Sequence, residues 1–155
     1  MNRIVFDAPV GPLGLEEEGG ALRRLYLPNQ PAERLGEETP VLARGRGELL
    51  EYFRGERLAF TVPLEPRGTP FQRRVWVALA AVPWGETVTY GALARQIGSP
   101  RAVRAVGQAN HRNPLPIFLP CHRVVGADGS LTGYAGGLDM KRFLLELEGA
   151  AYGKK

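Results

Sequence analysis

The sequence is poor in the residues that build disulfides and metal sites. It contains one cysteine, Cys121, and two histidines, His111 and His122. A single cysteine excludes an internal disulfide, and one cysteine with two histidines provides no zinc-ligand set of ordinary spacing. We therefore expect no structural metal and no cofactor.

Long hydrophobic runs are also missing. No stretch approaches the ~18 apolar residues of a membrane span, and residues 1–10 lack the apolar core of a secretory signal. The 155 residues, 44% of them hydrophobic, suffice for one well-packed domain or for a small module attached to a larger one. We expect a soluble, intracellular monomer of the cytoplasm that does not contact membranes.

The net charge of +4 is unevenly distributed along the chain. Residues 1–69 carry nine Arg and Lys against eleven Asp and Glu, or −2, whereas residues 70–155 carry eleven against five, or +6. A basic region confined to one half is typical of proteins that contact nucleic acid or another polyanion. A general bias toward arginine would have made both halves basic.

The first 68 residues show the pattern of a small antiparallel sheet. Short apolar runs such as Ile4-Val5-Phe6 and Leu22–Leu27 alternate with Gly and Pro. Glu18-Gly19-Gly20 precedes the second run as a hairpin turn would. We predict an N-terminal α/β domain over residues 1–68, without residues that suggest catalysis.

A helix is expected to follow this sheet. Thr39 is placed to cap it, Pro40 suits its first position, and it should continue to about Arg54. A strand near Leu58–Val62 and a linker at Pro63–Gly68 are then predicted.

The C-terminal domain, predicted over residues 69–155, opens with a clear helix start. Thr69, Pro70 and Gln72 supply an N-cap, a proline at the first helical position and a capping-box partner. The apolar residues of this helix recur at four-residue spacing, as Phe71, Val75 and Leu79. The helix should end near Val82, where a proline follows.

Two short helices joined by a tight turn are predicted next. Thr89 can cap the first, and Gly98 can adopt the left-handed conformation that ends it. Ser99 can cap the second, with Pro100 in the first turn of a helix from Arg101 to about Asn110. Two helices joined so closely are typical of a helix-turn-helix.

The second of these helices has two distinct sides. Its small apolar residues are expected to form a buried face comprising Ala102, Val103, Ala105, Val106 and Ala109. Arg101, Arg104 and Gln108 are spaced i, i+3, i+7 and share the other side. This polar stripe fits either DNA contact or an ordinary solvated helix face, and the +6 charge of residues 70–155 favours DNA.

The single cysteine lies in a segment that cannot be helical. Pro114, Pro116 and Pro120 each fix their own φ and move the preceding residue out of the α region. The segment leading to Cys121 is therefore stiff, and either extended or turning. Its thiol is either a nucleophile or a small buried apolar group, since free cysteine is among the most buried residue types.

A reactive thiol needs a base, because only the thiolate attacks. His122 follows Cys121 directly, but neighbours in an extended segment point to opposite sides. A bridging water or a local turn would be needed to connect them. Glu148 could orient the imidazole from its other nitrogen, which would complete a nucleophile, a base and an orienting acid.

The last predicted helix covers about Leu138–Glu148 and ends at Gly149. Its inner face is expected to comprise Met140, Leu144 and Leu147. The helix macrodipole disfavours the terminal carboxylate of Glu148 by ~0.3–1 kcal/mol. Either a cationic or hydrogen-bonding partner offsets this cost, or Glu148 is simply solvated.

Several motifs in order resemble the O6-alkylguanine-DNA alkyltransferase family. They are Arg104-Ala105-Val106-Gly107, Asn113-Pro114, Pro120-Cys121-His122-Arg123-Val124 and Gly133-Tyr134-Ala135-Gly136-Gly137. The match extends over about Thr69–Gly149, more than half the chain. It implies an α+β fold, with a small N-terminal antiparallel-sheet domain and a mainly helical C-terminal domain that contains the helix-turn-helix.

The resemblance also implies direct repair of double-stranded DNA from the minor groove. The family flips the damaged guanine into a pocket and moves its O6-alkyl group irreversibly to a cysteine. On the matching positions, Cys121 would be the acceptor, His122 its base through a water, and Glu148 the partner of His122. Tyr90 would help rotate the target phosphate and hydrogen-bond the leaving guanine.

The remaining roles implied by the resemblance concern DNA and the flipped base. Arg104 would fill the gap left in the base stack, and Asn113 would brace the active-site turn. The other positions expected to contact DNA are Thr89, Arg101 and Gln108, and those expected to line the guanine pocket are Val124, Tyr134 and Ala135.

Two departures from the family pattern stand out. Asn110-His111-Arg112 occupies the end of the recognition helix, where relatives often have small residues, and Ala135 replaces the serine of some relatives. Three other functions remain to be distinguished: a non-enzymatic lesion sensor, a helix-turn-helix regulator with a structural thiol, and a turnover cysteine hydrolase. The sensor relatives lack the cysteine, so the presence of Cys121 argues against the first.

Overall fold

The computed structural model describes residues 1–152, and the chain divides into two compact units, Met1–Arg67 and a second that begins at Gly68. The first unit contains a three-stranded antiparallel sheet in the order β1-β2-β3. Its strands are β1 (Asn2–Ala8), β2 (Gly11–Glu18) and β3 (Ala21–Tyr26). The predicted hairpin is confirmed: Gly19 and Gly20 join β2 to β3 with φ values of 64° and 84°, which glycine adopts at little cost.

One helix, α1 (Pro40–Phe53), packs on this sheet. Thr39 caps it as predicted, its side chain accepting from the backbone N–H of Leu42. Gly45 lies in mid-helix, where glycine costs stability, but a Cβ there would come within 2.8 Å of Leu15 and 2.9 Å of Leu22. Glycine therefore lets the helix approach the sheet closely.

The predicted strand at Leu58–Val62 is wrong. The carboxylate of Glu48 accepts from the backbone N–H groups of Thr61 and Val62 at 3.0 and 3.1 Å, and from the Thr61 hydroxyl at 2.7 Å. The two N–H groups are therefore not available to the hydrogen-bond ladder of a strand, and Pro63 has no backbone N–H. Pairing in this region is limited to one bridge between Leu22 and Leu64.

The second unit is mainly helical, as predicted. Its helices are α2 (Pro70–Ala80), α3 (Tyr90–Gln96), α4 (Val103–His111) and α5 (Leu138–Leu147). Two short parallel strands, β4 (Val88–Thr89) and β5 (Val124–Val125), pair with each other. A single 3-10 turn, Cys121–Arg123, precedes β5, and we call it the cysteine turn.

The capping box at the start of α2 is confirmed. The Thr69 hydroxyl accepts from Gln72 N–H, and the Gln72 side chain accepts from Thr69 N–H. Val75, Leu79 and Trp76 are buried, and the Trp76 indole donates to the carbonyl of Ala109 at 2.9 Å. This bond ties α2 to the C-terminal part of α4.

The helix-turn-helix is present, but the start of its second helix differs from the prediction. Gly98 ends α3 with φ 76°, as expected. Ser99 does not cap α4 with its side chain; its carbonyl instead accepts from Ala102 N–H in a turn. The helix therefore begins at Val103 rather than at Arg101, with Ala102 as its N-cap and no side-chain capping bond.

The predicted apolar face of α4 is also partly wrong. Val103 and Ala105 are exposed, whereas Val106, Ala109 and Asn110 are buried. The later start removes Ala102 from the helix, and the contacts with α2 and α3 select a narrower buried face. A buried asparagine was not predicted there.

The inner face of α5 likewise includes a polar residue. Leu144 is buried as predicted, but Met140 and Leu147 are partly exposed. The other buried positions of the helix are Lys141 and Leu145. Hydrophobic periodicity cannot reveal a buried lysine, because such a residue depends on acceptors that other elements supply.

None of the helices within residues 1–152 is long and apolar enough to cross a membrane. Within the same residues, no group of three or more His, Cys, Asp or Glu side chains could hold a metal ion.

Two glycines of α1 give a matched test of the packing. Gly45→Ala should destabilise the protein by roughly 1–3 kcal/mol, because its Cβ would overpack against Leu15 and Leu22. Gly47→Ala should stabilise it by roughly 0.5–1 kcal/mol, since a Cβ there meets nothing within 4 Å. Urea denaturation of both variants measures the difference. Equal stabilisation by the two substitutions would contradict the close approach at Gly45.

Candidate active site

The proline-rich segment before Cys121 forms a loop held by the side chain of Asn113. The Asn113 amide donates to the carbonyl of Leu119 at 2.7 Å, and its oxygen accepts from Leu115 N–H at 2.9 Å. Leu119 N–H in turn donates to the carbonyl of Leu115 at 2.9 Å. The buried Asn113 side chain therefore connects both ends of the loop. The family resemblance predicts this bracing role for Asn113.

The same loop contains a strained residue. Ile117 has φ 75° and is buried, although a β-branched side chain rarely adopts a positive φ. Such a conformation costs on the order of 1–3 kcal/mol and persists only where its surroundings enforce it. The bonds from Asn113 and the flanking prolines supply that constraint, so the loop holds Cys121 on a defined support.

Cys121 begins the cysteine turn and is buried. Its N–H donates to the carbonyl of Leu119 at 2.7 Å, and Arg123 N–H donates to the carbonyl of Pro120 at 3.0 Å. Burial raises the pKa of the thiol to about 11, although Asn113 and the charge of Lys141 act in the opposite direction. At neutral pH the resting group is therefore a thiol, and a base must remove its proton before it can attack.

His122 and Glu148 meet directly, as the sequence suggested they could. His122 Nε2 lies 2.7 Å from Glu148 Oε2, and both side chains are fully buried. Beside an ionised carboxylate, Nε2 carries the hydrogen and donates it, which leaves Nδ1 as an acceptor. Burial lowers the pKa of His122 even though Glu148 raises it, so the ring at rest is a neutral base.

Arg123 completes this cluster and was missed at the sequence level. Its Nε and Nη2 donate to the two oxygens of Glu148 at 2.8 and 2.9 Å, and its Nη1 donates to the carbonyl of Val82 at 2.5 Å. The arginine is the cationic partner that offsets the macrodipole cost at Glu148. Because Glu148 is paired with Arg123, it stays ionised beside a neutral histidine.

Lys141 is a second buried cation close to the cysteine turn. Its ammonium donates to the carbonyls of Val124 and Thr132 at 2.6 and 3.3 Å. Burial lowers its pKa to about 8, while interaction with Cys121 acts to raise it. A positive charge in this position favours the thiolate, and no pattern in the sequence indicated it.

Tyr90 opens α3 and bonds to the loop that follows β5. Its hydroxyl lies 2.7 Å from the hydroxyl of Thr132. Its ring lies against α4, because a Cβ built on Gly107 would be 3.7 Å from it. Tyr90 is therefore held in place by the Thr132 hydroxyl on one side and by α4 on the other.

An open groove of about 780 Å³ lies along α4. It is lined by Tyr90, Val103, Arg104, Gly107, Gln108, His111 and Arg112. Of the residues predicted to bind DNA, Arg104 and Gln108 line this groove. Thr89 instead caps α3 by accepting from Ala92 N–H at 3.1 Å, and Arg101 is exposed in the turn before α4.

The residues expected to line a guanine pocket differ in burial. Val124 is fully buried in β5, and its carbonyl is bound by Lys141. Tyr134 is buried and Ala135 partly exposed in the irregular segment before α5. Gly137 N–H donates to the Tyr134 carbonyl at 3.0 Å. Their contact with a base stays a prediction.

The second unit of the chain matches a known protein family. Residues 70–150 match the family model described as "6-O-methylguanine DNA methyltransferase, DNA binding domain". The chain belongs to this family. The resemblance seen in the motifs, and the α+β fold it implies, are confirmed.

Two curated methyltransferases are similar over nearly their full length. The constitutive methylated-DNA–protein-cysteine methyltransferase of Bacillus subtilis is 48% identical, covering 96% of this chain and 96% of its own. The methylated-DNA–protein-cysteine methyltransferase of Methanosarcina acetivorans is also 48% identical, and the match covers 97% of this chain and 99% of that protein. A crystal structure of Mycobacterium tuberculosis OGT in complex with DNA superposes with a TM-score of 0.85 at 48% identity. The match covers 94% of this chain and 92% of the OGT chain.

The buried cluster of His122, Glu148 and Arg123 should make the stability of the protein depend on pH. As pH falls below 6.5, the unfolded state takes up a proton on His122 that the folded state resists, so stability is lost. The free energy of unfolding should therefore fall between about pH 6.5 and about pH 5.5, by at most about 1.4 kcal/mol per pH unit.

The lower limit of this window stays about one pH unit above the ordinary pKa of 4.5 of Glu17 and Glu48, whose pKa values are lowered in the folded state, so these carboxylates contribute little within it. His122→Gln should remove the slope in urea denaturation series. His111→Gln, at an exposed position of α4, should keep it. A wild-type protein with constant stability across the window would contradict a neutral, buried His122.

Proposed function

We propose that this methyltransferase reverses alkylation of double-stranded DNA directly, by moving the alkyl group from the O6 atom of guanine to Cys121. The observation that carries this assignment is the direct bond between His122 and Glu148 beside a cysteine on a constrained turn. The relatives' names and the motif matches support the same reaction. We further propose that residues 69–155 carry DNA binding and chemistry, that residues 1–68 support them, and that the protein acts in the cytoplasm.

The first step is deprotonation of the thiol. His122 accepts the proton at Nδ1 through a water, because Nε2 is engaged with Glu148. The imidazolium is stabilised by the Glu148 carboxylate, and the thiolate by the charge of Lys141. The base is needed because burial disfavours the thiolate in the resting protein.

The second step is transfer of the alkyl group. The thiolate attacks the alkyl carbon, an S–C bond forms, and the C–O6 bond breaks with its electron pair on guanine. Tyr90 donates a hydrogen bond to the departing base, which lowers the barrier because guanine leaves poorly as an anion. Overall, the thiol hydrogen is replaced by the alkyl group, and the guanine recovers one proton.

DNA presents the lesion to this site by base flipping. Extrusion of a base costs a few kcal/mol and leaves a gap in the stack. Arg104 lines the groove along α4 and has a planar guanidinium suited to fill the gap. Gly107 leaves room for the backbone of α4 to approach the duplex.

The product determines the stoichiometry. A thioether on Cys121 contains no bond that His122 or its water could hydrolyse under these conditions. Each molecule therefore acts once, which distinguishes this reaction from that of a turnover cysteine hydrolase.

The decisive measurement is the mass of the peptide that contains Cys121. After incubation with a duplex containing O6-methylguanine, that peptide should gain one methyl group, one per protein molecule, while the DNA regains guanine. Cys121→Ser should bind the same duplex and transfer nothing. An unmodified peptide with an intact lesion would contradict the proposal, and preference for one DNA sequence regardless of alkylation would indicate a regulator.

A second measurement tests the role of Tyr90. Tyr90→Phe keeps the ring against Gly107 and removes only the hydroxyl group, so binding to alkylated DNA should change little. Single-turnover transfer should slow by roughly 10²–10⁴-fold, the usual contribution of a proton donor. Thr132→Val is a matched control, because it removes the partner of the hydroxyl but not the hydroxyl itself. A Tyr90→Phe rate equal to that of wild type would exclude the role.

A further inference from the structure

Asn110 is a buried polar residue that the reaction described above does not use. It lies near the end of α4 and is only 5% exposed. Its amide Nδ2 donates to the carbonyl of Cys121 at 3.4 Å, and its Oδ1 is buried with no hydrogen-bond partner among residues 1–152. The orientation of the amide follows from chemistry, because a carbonyl accepts only and so must face Nδ2 rather than Oδ1.

A second buried atom without a partner lies next to the same peptide group. His122 Nδ1 makes no hydrogen bond within the described chain, while His122 Nε2 is bound to Glu148. The carbonyl that Asn110 contacts belongs to the peptide joining Cys121 to His122. Nδ1 is the ring nitrogen nearer the backbone, and the Asn110 amide is bound to the peptide that joins the two residues carrying the thiol and the imidazole.

Two buried acceptors beside a thiol have a specific chemical meaning. Buried polar atoms are almost always hydrogen-bonded, to protein or to ordered water. Neither Oδ1 nor an unprotonated Nδ1 can donate, so they cannot satisfy each other. A water molecule supplies two donors for the two acceptors, and its oxygen accepts from the thiol.

We propose that Asn110 is a positioning residue for the deprotonation of Cys121: its Oδ1 and His122 Nδ1 together hold the water that relays the thiol proton. The relay from cysteine to histidine belongs to the proposed function, on which this inference rests. Asn110 is the new element.

The amide oxygen gives the relay a direction. It engages one hydrogen of the water and, being neutral, cannot take that proton itself. The other hydrogen is therefore aimed at His122 Nδ1. When the thiol proton moves to the water, the water passes this second hydrogen to Nδ1, which leaves a thiolate, a neutral water and an imidazolium paired with Glu148.

The other charged and titratable groups around the thiol come from two elements. His122 and Arg123 belong to the cysteine turn, and Lys141 and Glu148 lie on or directly after α5. All four are unchanged in the variants compared below, so a change in the titration of Cys121 reports on Asn110.

The test is Asn110→Leu, which keeps the branched outline of the side chain and removes both its oxygen and its nitrogen. Single-turnover transfer from an O6-methylguanine duplex should slow on the order of ten-fold at neutral pH. The pH at which the rate reaches half its maximum should rise, and affinity for the duplex should stay unchanged. Val106→Ala is the matched control: it leaves a cavity in the same helix and should lower thermal stability without moving the pH profile.

The thiolate absorbance of the free protein gives an independent reading. Cys121 is the single thiol, and subtraction of a Cys121→Ser titration removes the signal of the five tyrosines. The pKa of Cys121 should be higher in Asn110→Leu than in wild type. If Asn110→Leu does not fold, Asn110→Ala replaces it in both measurements.

The outcomes separate this inference from the function beneath it. An unchanged rate and titration in the folded variant would overturn the role of Asn110, and so would a slower rate with an unchanged pH profile. If the wild type transfers no alkyl group, the proposed function fails, while the titration of Cys121 still decides whether Asn110 acts on the thiol.

Discussion

The buried carboxylate of Glu148 is the interaction on which the rest of the site depends. It accepts from His122 at 2.7 Å and from two nitrogens of Arg123 at 2.8 and 2.9 Å, with no exposure to solvent. A buried charge pair is costly to assemble and more costly to break, on the order of 3–5 kcal/mol when one partner is removed. Glu148 therefore holds the cysteine turn to the end of α5 and sets the tautomer of His122 with the same contacts.

A second constraint comes from the loop that precedes the turn. Asn113 binds both Leu115 and Leu119, and Ile117 is held at a positive φ between them. The strain and the restricted prolines make this loop a poor choice for stability alone. They are consistent with a support that keeps the buried Cys121 at one position, as the proposed reaction requires.

The local signals in the sequence predicted most of the elements. The capping box at Thr69, the hairpin at Gly19 and Gly20, and the left-handed Gly98 depend on residues close to each other in the chain, so short-range rules describe them. The strand at Leu58–Val62 failed because a distant carboxylate, Glu48, took the amides that a strand would have used. Strand propensity depends on the residue types of the segment itself, so it does not account for a distant side chain that binds the same N–H groups.

The sequence by itself determined the family and the order of the motifs, and it supplied the prediction of an acceptor cysteine with an adjacent base, because these are carried by contiguous residues. It allowed Glu148 to be suspected as the partner of His122. Only the tertiary structure decided that Glu148 reaches His122, that Arg123 neutralises it, and that Lys141 and Asn110 are buried beside the cysteine turn. Whether a polar side chain in a helix faces solvent or the core depends on acceptors and donors contributed by other elements, and folding alone brings those together.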